Sequence, residues 1–131
     1  MKYLIMIYSN PKSWGHPAFL RTREALAMSD EERAEMSGQA DALWREITTS
    51  GELISGTALA DPVHTKSVRV RDGLPATTDG PYIEAKEQLA GYFVVDCDSQ
   101  ERATEIAARF PDARFGAVEV RPIMDTSGQE M

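Results

Sequence analysis

The segment richest in reactive side chains spans residues 77–95 and reads TTDGPYIEAKEQLAGYFVV. Within it, Asp79 is followed directly by Gly80 and Pro81. Glycine adopts backbone angles that other residues avoid, and proline fixes its own φ and restricts the residue before it. We therefore predict that the Asp79 carboxylate is held at a bend beside a partly enclosed pocket, as an acid–base or substrate-anchoring group. The alternative is an ordinary turn, in which Asp and Gly are common.

Other charged and aromatic residues could reach the same cleft as Asp79. Opposed carboxylates and cations can perform acid–base chemistry on a small molecule, and they can equally be ion pairs that only hold a hairpin in place. We predict Asp79 as the catalytic residue. The candidates for substrate binding are Tyr82, Lys86, Arg71, Arg121 and Trp14. Residues 10–19, which include Trp14, are expected either to pack on the core or to close over the pocket as a lid.

The sequence has no spacing typical of a metal or nucleotide site. Its two histidines, His16 and His64, are isolated in loop-like segments, and its only cysteine, Cys97, lies in an apolar run. We therefore expect no metal and no cofactor. The histidines are expected to be exposed, and the thiol to be buried and chemically inert.

Composition limits the class of protein. The chain has 131 residues, of which 42% are hydrophobic, and this suits one domain with a core. We expect residues 1–124 to form that domain and residues 125–131 a polar tail. The net charge of −7 argues against direct contact with nucleic acid, which needs a basic face. No apolar run approaches the roughly 20 residues of a membrane helix, and no signal peptide is recognisable, so a cytoplasmic protein without membrane contact is expected.

Two helices are predicted from capping residues and periodicity. Ser29 should cap the first helix, which stops near Gly51, and Ser99 should cap the second, which Pro111 ends. The first helix carries one apolar stripe, in which Trp44 is expected to be a core residue. The stripe consists of Met36, Ala40, Leu43, Trp44 and Ile47.

Six strands are predicted around these helices. Two of them, residues 2–8 and 91–96, are apolar on both faces, which is typical of central strands. Asp72-Gly73 predicts a hairpin turn, and Gly56 a bulge. In chain order the strands are residues 2–8, 52–59, 66–71, 76–78, 91–96 and 115–123.

This order of elements predicts an α+β fold, the ferredoxin-like split βαβ pattern with an added hairpin. Two helices can cover only one face of such a sheet. One of two sets on the first strand, either Tyr3, Ile5 and Ile7 or Leu4, Met6 and Tyr8, must then lie on the open face. An exposed apolar patch of this kind indicates an interface, and a two-fold homodimer that packs sheet on sheet would bury it.

The chain also resembles a known family. TDGPY followed by EAKEQLAGYFVVD is similar to the signature of the DGPF-type branch of the YCII-related family, and MKYLIMIY, TKSVRVRDG and GAVEVRPIMD are similar to its flanking blocks. The resemblance implies a dimeric α/β barrel. Related YCII proteins look like enzymes built on a His–Asp pair, with the histidine near the start of the first helix. Here that region reads SDEERAEM, so only Asp79, Gly80, Pro81 and Tyr82 carry over, with Tyr82 in place of the usual Phe.

Two classes of function follow, with a dimer that binds no small ligand as a third. The first is a metal-independent enzyme acting on an unidentified small molecule by lyase- or hydrolase-like acid–base chemistry with Asp79. The second is a non-catalytic ligand-binding or regulatory dimer. The resemblance implies a possible partner for this second class, because members of the branch are associated with extracytoplasmic-function sigma factors.

Overall fold

The structure is a computed structural model that describes residues 1–10, 23–82, 87–125 and 127–128. These residues form an α+β fold with two antiparallel sheets. In chain order the elements are β1 (Lys2–Ser9), α1 (Arg23–Ala27), α2 (Asp30–Thr49), β2 (Leu53–Ala58), a 3-10 turn (Pro62–His64), β3 (Lys66–Arg71), β4 (Leu74–Asp79), β5 (Gln88–Asp96), α3 (Gln100–Ala108), α4 (Asp112–Phe115) and β6 (Val118–Pro122).

The larger sheet has the strand order β2-β5-β1-β6, and every neighbouring pair is antiparallel. The central strands are therefore β1 and β5, as their doubly apolar sequences predict. In the chain, α2 lies between β1 and β2, and α3 lies between β5 and β6. The sheet is open, so no barrel is closed within one chain.

The two faces of this sheet differ in burial. The odd-numbered side chains of β1 from Tyr3 to Ile7 are buried, whereas the even-numbered ones from Leu4 to Tyr8 are only partly buried. Leu43 and Ile47 of α2 and Ile106 of α3 belong to the same core cluster as Tyr3. The helices therefore cover the odd-numbered side, and the even-numbered set is the one that lies on the open face.

The helix signals read from the sequence are confirmed. The Ser29 Oγ accepts a hydrogen bond of 3.1 Å from the backbone N–H of Glu32, and the Ser99 Oγ accepts one of 3.2 Å from Arg102. Gly51 follows α2 with φ of 81°, a conformation that favours glycine. None of the helices among the described residues is both long enough and apolar enough to span a membrane.

The hairpin of β3 and β4 is a separate two-stranded sheet. Its turn residues, Asp72 and Gly73, have φ of 52° and 78°, as a type I′ turn requires. All six residues of β4 are exposed, and so are five of the six in β3. A two-stranded hairpin is only marginally stable by itself in water, so the contacts at its base decide whether it stays ordered.

The bulge predicted at Gly56 is wrong. The register of β2 against β5 shifts between Leu53 and Ser55, and Gly56 itself pairs with Phe93. A Cβ atom built on Gly56 would lie 2.2 Å from the Phe93 ring. This glycine is therefore needed for close approach of an aromatic ring and does not mark an irregular strand.

The last strand is shorter than predicted. Residues 112–115 form the short helix α4, so β6 begins only at Val118. Gly116 lies between them, where a Cβ atom would come within 2.6 Å of the Tyr8 carbonyl oxygen. As predicted, β6 alternates, with Val118 and Val120 less exposed than Glu119 and Arg121.

An ion-pair network joins α2, β2 and α3. The Arg102 guanidinium of α3 donates from Nε and Nη2 to the two carboxylate oxygens of Glu52, at 2.8 and 3.0 Å. Its Nη2 also donates to Glu46 at 2.8 Å, and Arg109 donates to the same Glu46 oxygen at 2.7 Å. The hydrogen bonds from Arg102 lower the pKa of the Glu52 carboxyl to about 2. The network therefore fixes the end of α2 and the start of β2 against α3.

Candidate functional site

The Asp79 carboxylate lies at the base of the hairpin and is mostly in solvent. It is the last residue of β4, its side chain is 84% exposed, and its Oδ1 accepts a hydrogen bond from the Lys66 ammonium. The next residue, Gly80, is hydrogen-bonded to Ser67 of β3 and to Thr65, which precedes that strand. The Gly80 N–H donates to the Thr65 carbonyl, and the Ser67 hydroxyl donates to the Gly80 carbonyl, both at 2.7 Å. In the part of the chain that the structure describes, this turn clasps the base of the hairpin, and a pocket beside Asp79 stays a prediction.

Tyr82 is the signature residue with the clearest partner. The Arg69 guanidinium lies 4.6 Å from the centre of the Tyr82 ring, which is the geometry of a cation–π contact. Tyr82 is 68% exposed. Together with Pro81, His64 and Leu89 it lines a wide cleft of about 510 Å³, which we call the signature cleft. His64 is exposed, as predicted.

Two of the other predicted site residues, Arg71 and Arg121, are described by the structure and do not lie beside Asp79. Arg71 pairs with Leu74 at the turn end of the hairpin, whereas Asp79 pairs with Lys66 at its base. The two ends are five positions apart along each strand, a distance of about 16 Å. Arg121 belongs to β6 of the other sheet. Trp14 and Lys86, together with the lid proposed for residues 10–19, lie outside the described residues except for Asn10.

Arg121 instead belongs to the open face of the four-stranded sheet. It pairs with Leu4, and Glu119 pairs with Met6, so both side chains share the face of Tyr8. Burial and the nearby Glu119 carboxylate raise the pKa of the Tyr8 hydroxyl, and Arg121 opposes that effect. The face thus has an apolar centre and an edge on which one acidic and one basic residue are two positions apart.

A second and more enclosed cavity lies on the helix-covered side, between α2, β2 and the loop before α4. Its volume is about 290 Å³. We call it the aromatic pocket, because three of its walls are the rings of Trp44, Phe93 and Phe110. The described residues that line it are Ala40, Asp41, Trp44, Gly56, Thr57, Ala58, Phe93, Phe110, Pro111 and Asp112.

The three rings form one cluster. Trp44 meets Phe93 edge to face at 5.1 Å between centroids with an angle of 88°, and it meets Phe110 at 5.9 Å. Phe93 and Phe110 lie 5.2 Å apart. Such contacts fix the rings relative to one another. Trp44 was expected in the core, but it is 41% exposed, so it forms part of the pocket rim as well as part of the packing.

Two carboxylates complete this pocket. Asp112 is only 1% exposed, while Asp41 on α2 is in solvent. Asp41 is therefore the carboxylate that a ligand in the cavity could reach, because Asp112 has almost no accessible surface. Nothing in the sequence motifs points to Asp112. Pro111, the residue before it, predicts only the end of the second helix.

Cys97 is 4% exposed, which confirms the prediction of a buried thiol. Burial, and then the charge of Glu52, raise its pKa to about 11. The thiolate is the reactive form, so this cysteine is unreactive at neutral pH. Among the described residues, no three His, Cys, Asp or Glu side chains are grouped as a metal site would require.

Comparison with known proteins gives two findings. The model of the YCII-related domain matches residues 1–127 of the chain. An uncharacterised protein of Rhizobium meliloti (strain 1021) is 31% identical to it over 99 residues, which cover 74% of this chain and 80% of that protein. The DGPF-type branch stays a prediction. The match spans both the sheet and the helices described above, and the chain therefore belongs to the YCII-related family.

Proposed function

We propose that this protein binds a small molecule in the aromatic pocket. The observation that carries the proposal is a cavity lined by the rings of Trp44, Phe93 and Phe110 together with the polar side chains of Asp41 and Thr57. Small-molecule sites combine an apolar lining with a few polar groups that orient the ligand. The volume of about 290 Å³ suits a ligand of roughly one ring. This lies at the lower end of the range of small-molecule pockets, which is about 300 to 1,000 Å³.

The pocket can be blocked without changing the core. Ala40 lines it from α2, and replacing it with Phe would fill the cavity. Ala34 lies on the same helix and is exposed, so Ala34→Phe is a matched control. In a screen of soluble one-ring compounds by ligand-observed NMR, we expect binders to wild type and Ala34→Phe that fail to bind Ala40→Phe. Binding that is equal in all three proteins would contradict the proposal.

We also propose that two chains pack through the open face of the four-stranded sheet. Support comes from the apolar centre of that face, with Leu4, Met6 and Tyr92 partly exposed. Glu119 and Arg121 at its edge give further support, because a two-fold axis could pair each with the other residue of the partner. Light scattering tests the homodimer, and a monomer at micromolar concentration would contradict it.

The ferredoxin-like split βαβ arrangement is part of the same proposal. Strand order β2-β5-β1-β6, antiparallel pairing throughout, and a helix after each central strand support it. In this arrangement the hairpin of β3 and β4 is the addition between the two halves. Two such sheets packed face to face would form the dimeric α/β barrel.

Acid–base chemistry is a second candidate function. Its place would be the turn Asp79-Gly80-Pro81, which we call the signature turn. One observation favours it: Tyr82 and His64 both line the signature cleft, which lies next to this turn. If the turn is catalytic, Asp79→Asn should abolish turnover and leave the melting temperature nearly unchanged. Full activity in Asp79→Asn would remove this candidate. The association with a sigma factor stays a prediction from the family resemblance.

A further inference from the structure

We propose that the hairpin of β3 and β4 docks on the start of α2 in a second copy of this chain. The contact joins Arg69 and Arg71 of the hairpin to exposed carboxylates of that helix. This inference goes beyond the proposed function, because neither surface belongs to the aromatic pocket or to the open face of the four-stranded sheet.

The hairpin has little support from its own chain. It is a separate two-stranded sheet, and eleven of its twelve strand residues are exposed. Among the described helices and strands, β3 and β4 pack mainly on each other. A hairpin of this kind is only marginally stable in water, so a surface that covers one of its faces stabilises it.

One face of the hairpin has the composition of an interface. Arg69 pairs with Ala76, and Arg71 pairs with Leu74, and opposite residues of an antiparallel pair lie on the same face. Tyr82 joins this face, because its ring lies 4.6 Å from the Arg69 guanidinium. Leu74 and Tyr82 are 71% and 68% exposed. Binding hot spots are enriched in arginine and tyrosine, and we call these five residues the arginine face.

The two arginines are not neutralised within the part of the chain that the structure describes. Neither forms an ion pair there, and Arg71 donates to the neighbouring Val70 carbonyl at 3.0 Å. They are two positions apart on one strand, about 7 Å, so their charges repel each other. The chain as a whole carries a net charge of −7, so a second copy offers them an acidic surface.

The start of α2 has carboxylates at a matching spacing. Glu31 and Glu35 are exposed and lie one turn apart on the same side of the helix, about 6 Å along its axis. Neither forms an ion pair with a described residue, and like charges at this spacing destabilise a helix. A strand laid along the helix therefore pairs each carboxylate with one guanidinium. A two-fold axis makes this contact twice, once in each direction.

Charge reversal on each side tests the contact. The hairpin variant is Arg69→Glu with Arg71→Glu, and the helix variant is Glu31→Arg with Glu35→Arg. We expect each variant alone to dimerise about tenfold more weakly than wild type, because like charges then face each other. An equimolar mixture should regain the wild-type affinity, because both contacts of the mixed dimer pair opposite charges. Sedimentation equilibrium at low salt measures these affinities.

The mixture separates docking from folding, because a chain that is poorly folded by itself is not restored by a second variant. Glu101→Arg, in the first turn of α3, is the control for a charge reversal at the start of a helix and should leave dimerisation unchanged. Two outcomes overturn the inference: variants that dimerise as tightly as wild type, or a mixture that associates no more tightly than either variant.

The open-face contact is tested separately with Met6→Lys. If Met6→Lys abolishes the dimer and the hairpin variant keeps it, the open-face contact stands and the hairpin contact is wrong. If the hairpin variant loses the dimer, the mixture regains it and Met6→Lys keeps it, the hairpin contact stands and the open-face contact is wrong. A wild type that is monomeric at micromolar concentration contradicts both.

Discussion

Two carboxylates in this protein differ in almost every property that decides what a carboxylate can do. Asp79 sits on the hairpin, 84% exposed, beside a lysine that is itself mostly in solvent. Asp112 sits on the helix-covered side, 1% exposed, on the wall of an aromatic pocket. Water screens the charge of Asp79 strongly and the charge of Asp112 only weakly. Asp79, which lies in the more distinctive sequence motif, therefore has the weaker electrostatic interactions.

A similar contrast holds between an ion pair on the hairpin and one on the helix-covered side of the sheet. On the hairpin, Lys66 and Asp79 have side chains that are 65% and 84% exposed. On the helix side, Arg102 and Glu52 are 26% and 17% exposed and share two hydrogen bonds. An exposed ion pair adds little to the stability of the fold. Removing one partner of a partly buried pair destabilises the fold, because the other charge is left buried without its partner. Both regions can be tested with matched variants.

The largest expected effect is on acid stability. Hydrogen bonds from Arg102 lower the folded-state pKa of Glu52 from its ordinary value of 4.5 to about 2. Its contribution is therefore complete above about pH 5 and is lost as the pH falls toward 2. We expect Glu52→Gln to be less stable than wild type at pH 7 by about 3 kcal/mol, and the gap to close by pH 2. Urea unfolding at several pH values measures it. A gap that is independent of pH would contradict the pKa shift.

The next effect separates the two ion pairs. Removing Arg102 leaves Glu52 partly buried without its bidentate donor, so Arg102→Met should destabilise the fold by about 2–3 kcal/mol. Lys66→Met is the matched change on the hairpin and should cost about 0–1 kcal/mol. Urea unfolding at neutral pH measures both. Equal losses would show that burial is not what distinguishes the regions.

The third effect concerns the shape of the aromatic pocket. Gly56→Ala places a methyl group where the Phe93 ring lies, so we expect a loss of about 1–3 kcal/mol. Gly38→Ala in the middle of α2 meets no atom within 4 Å and should stabilise the helix by about 0.5–1 kcal/mol. Thermal unfolding distinguishes them. A neutral Gly56→Ala would mean that Phe93 can move, and that the pocket is not preformed.

The smallest effect is expected at the signature turn. Asp79→Asn removes one exposed ion pair, so the melting temperature should change little, in line with a loss of about 0–1 kcal/mol. Binding of any ligand found for the aromatic pocket should be unaffected. A large loss of stability would show that the Asp79–Lys66 pair holds the hairpin in place. Loss of ligand binding would instead show that Asp79 and the aromatic pocket belong to one site.

Local sequence signals determined most of the secondary structure. The caps at Ser29 and Ser99, the positive φ at Gly51, and the Asp72-Gly73 turn each depend on interactions within a few residues, so they could be read directly. The central position of β1 and β5 followed from their apolar faces, because a strand without a polar face must be covered on both sides. Family membership also followed from the sequence, since its blocks are linear motifs.

Tertiary packing decided the site. Phe93 and Gly56 are 37 positions apart, and only the pairing of β2 with β5 shows that the ring fills the space above the glycine. Trp44 fits the apolar stripe of α2, but its ring partners Phe93 and Phe110 come from distant segments and leave it 41% exposed. Asp112 looks like a surface residue after a helix, yet it is 1% exposed at the start of α4, beside the aromatic pocket. Burial of a charge depends on distant segments, and local sequence carries no signal for it.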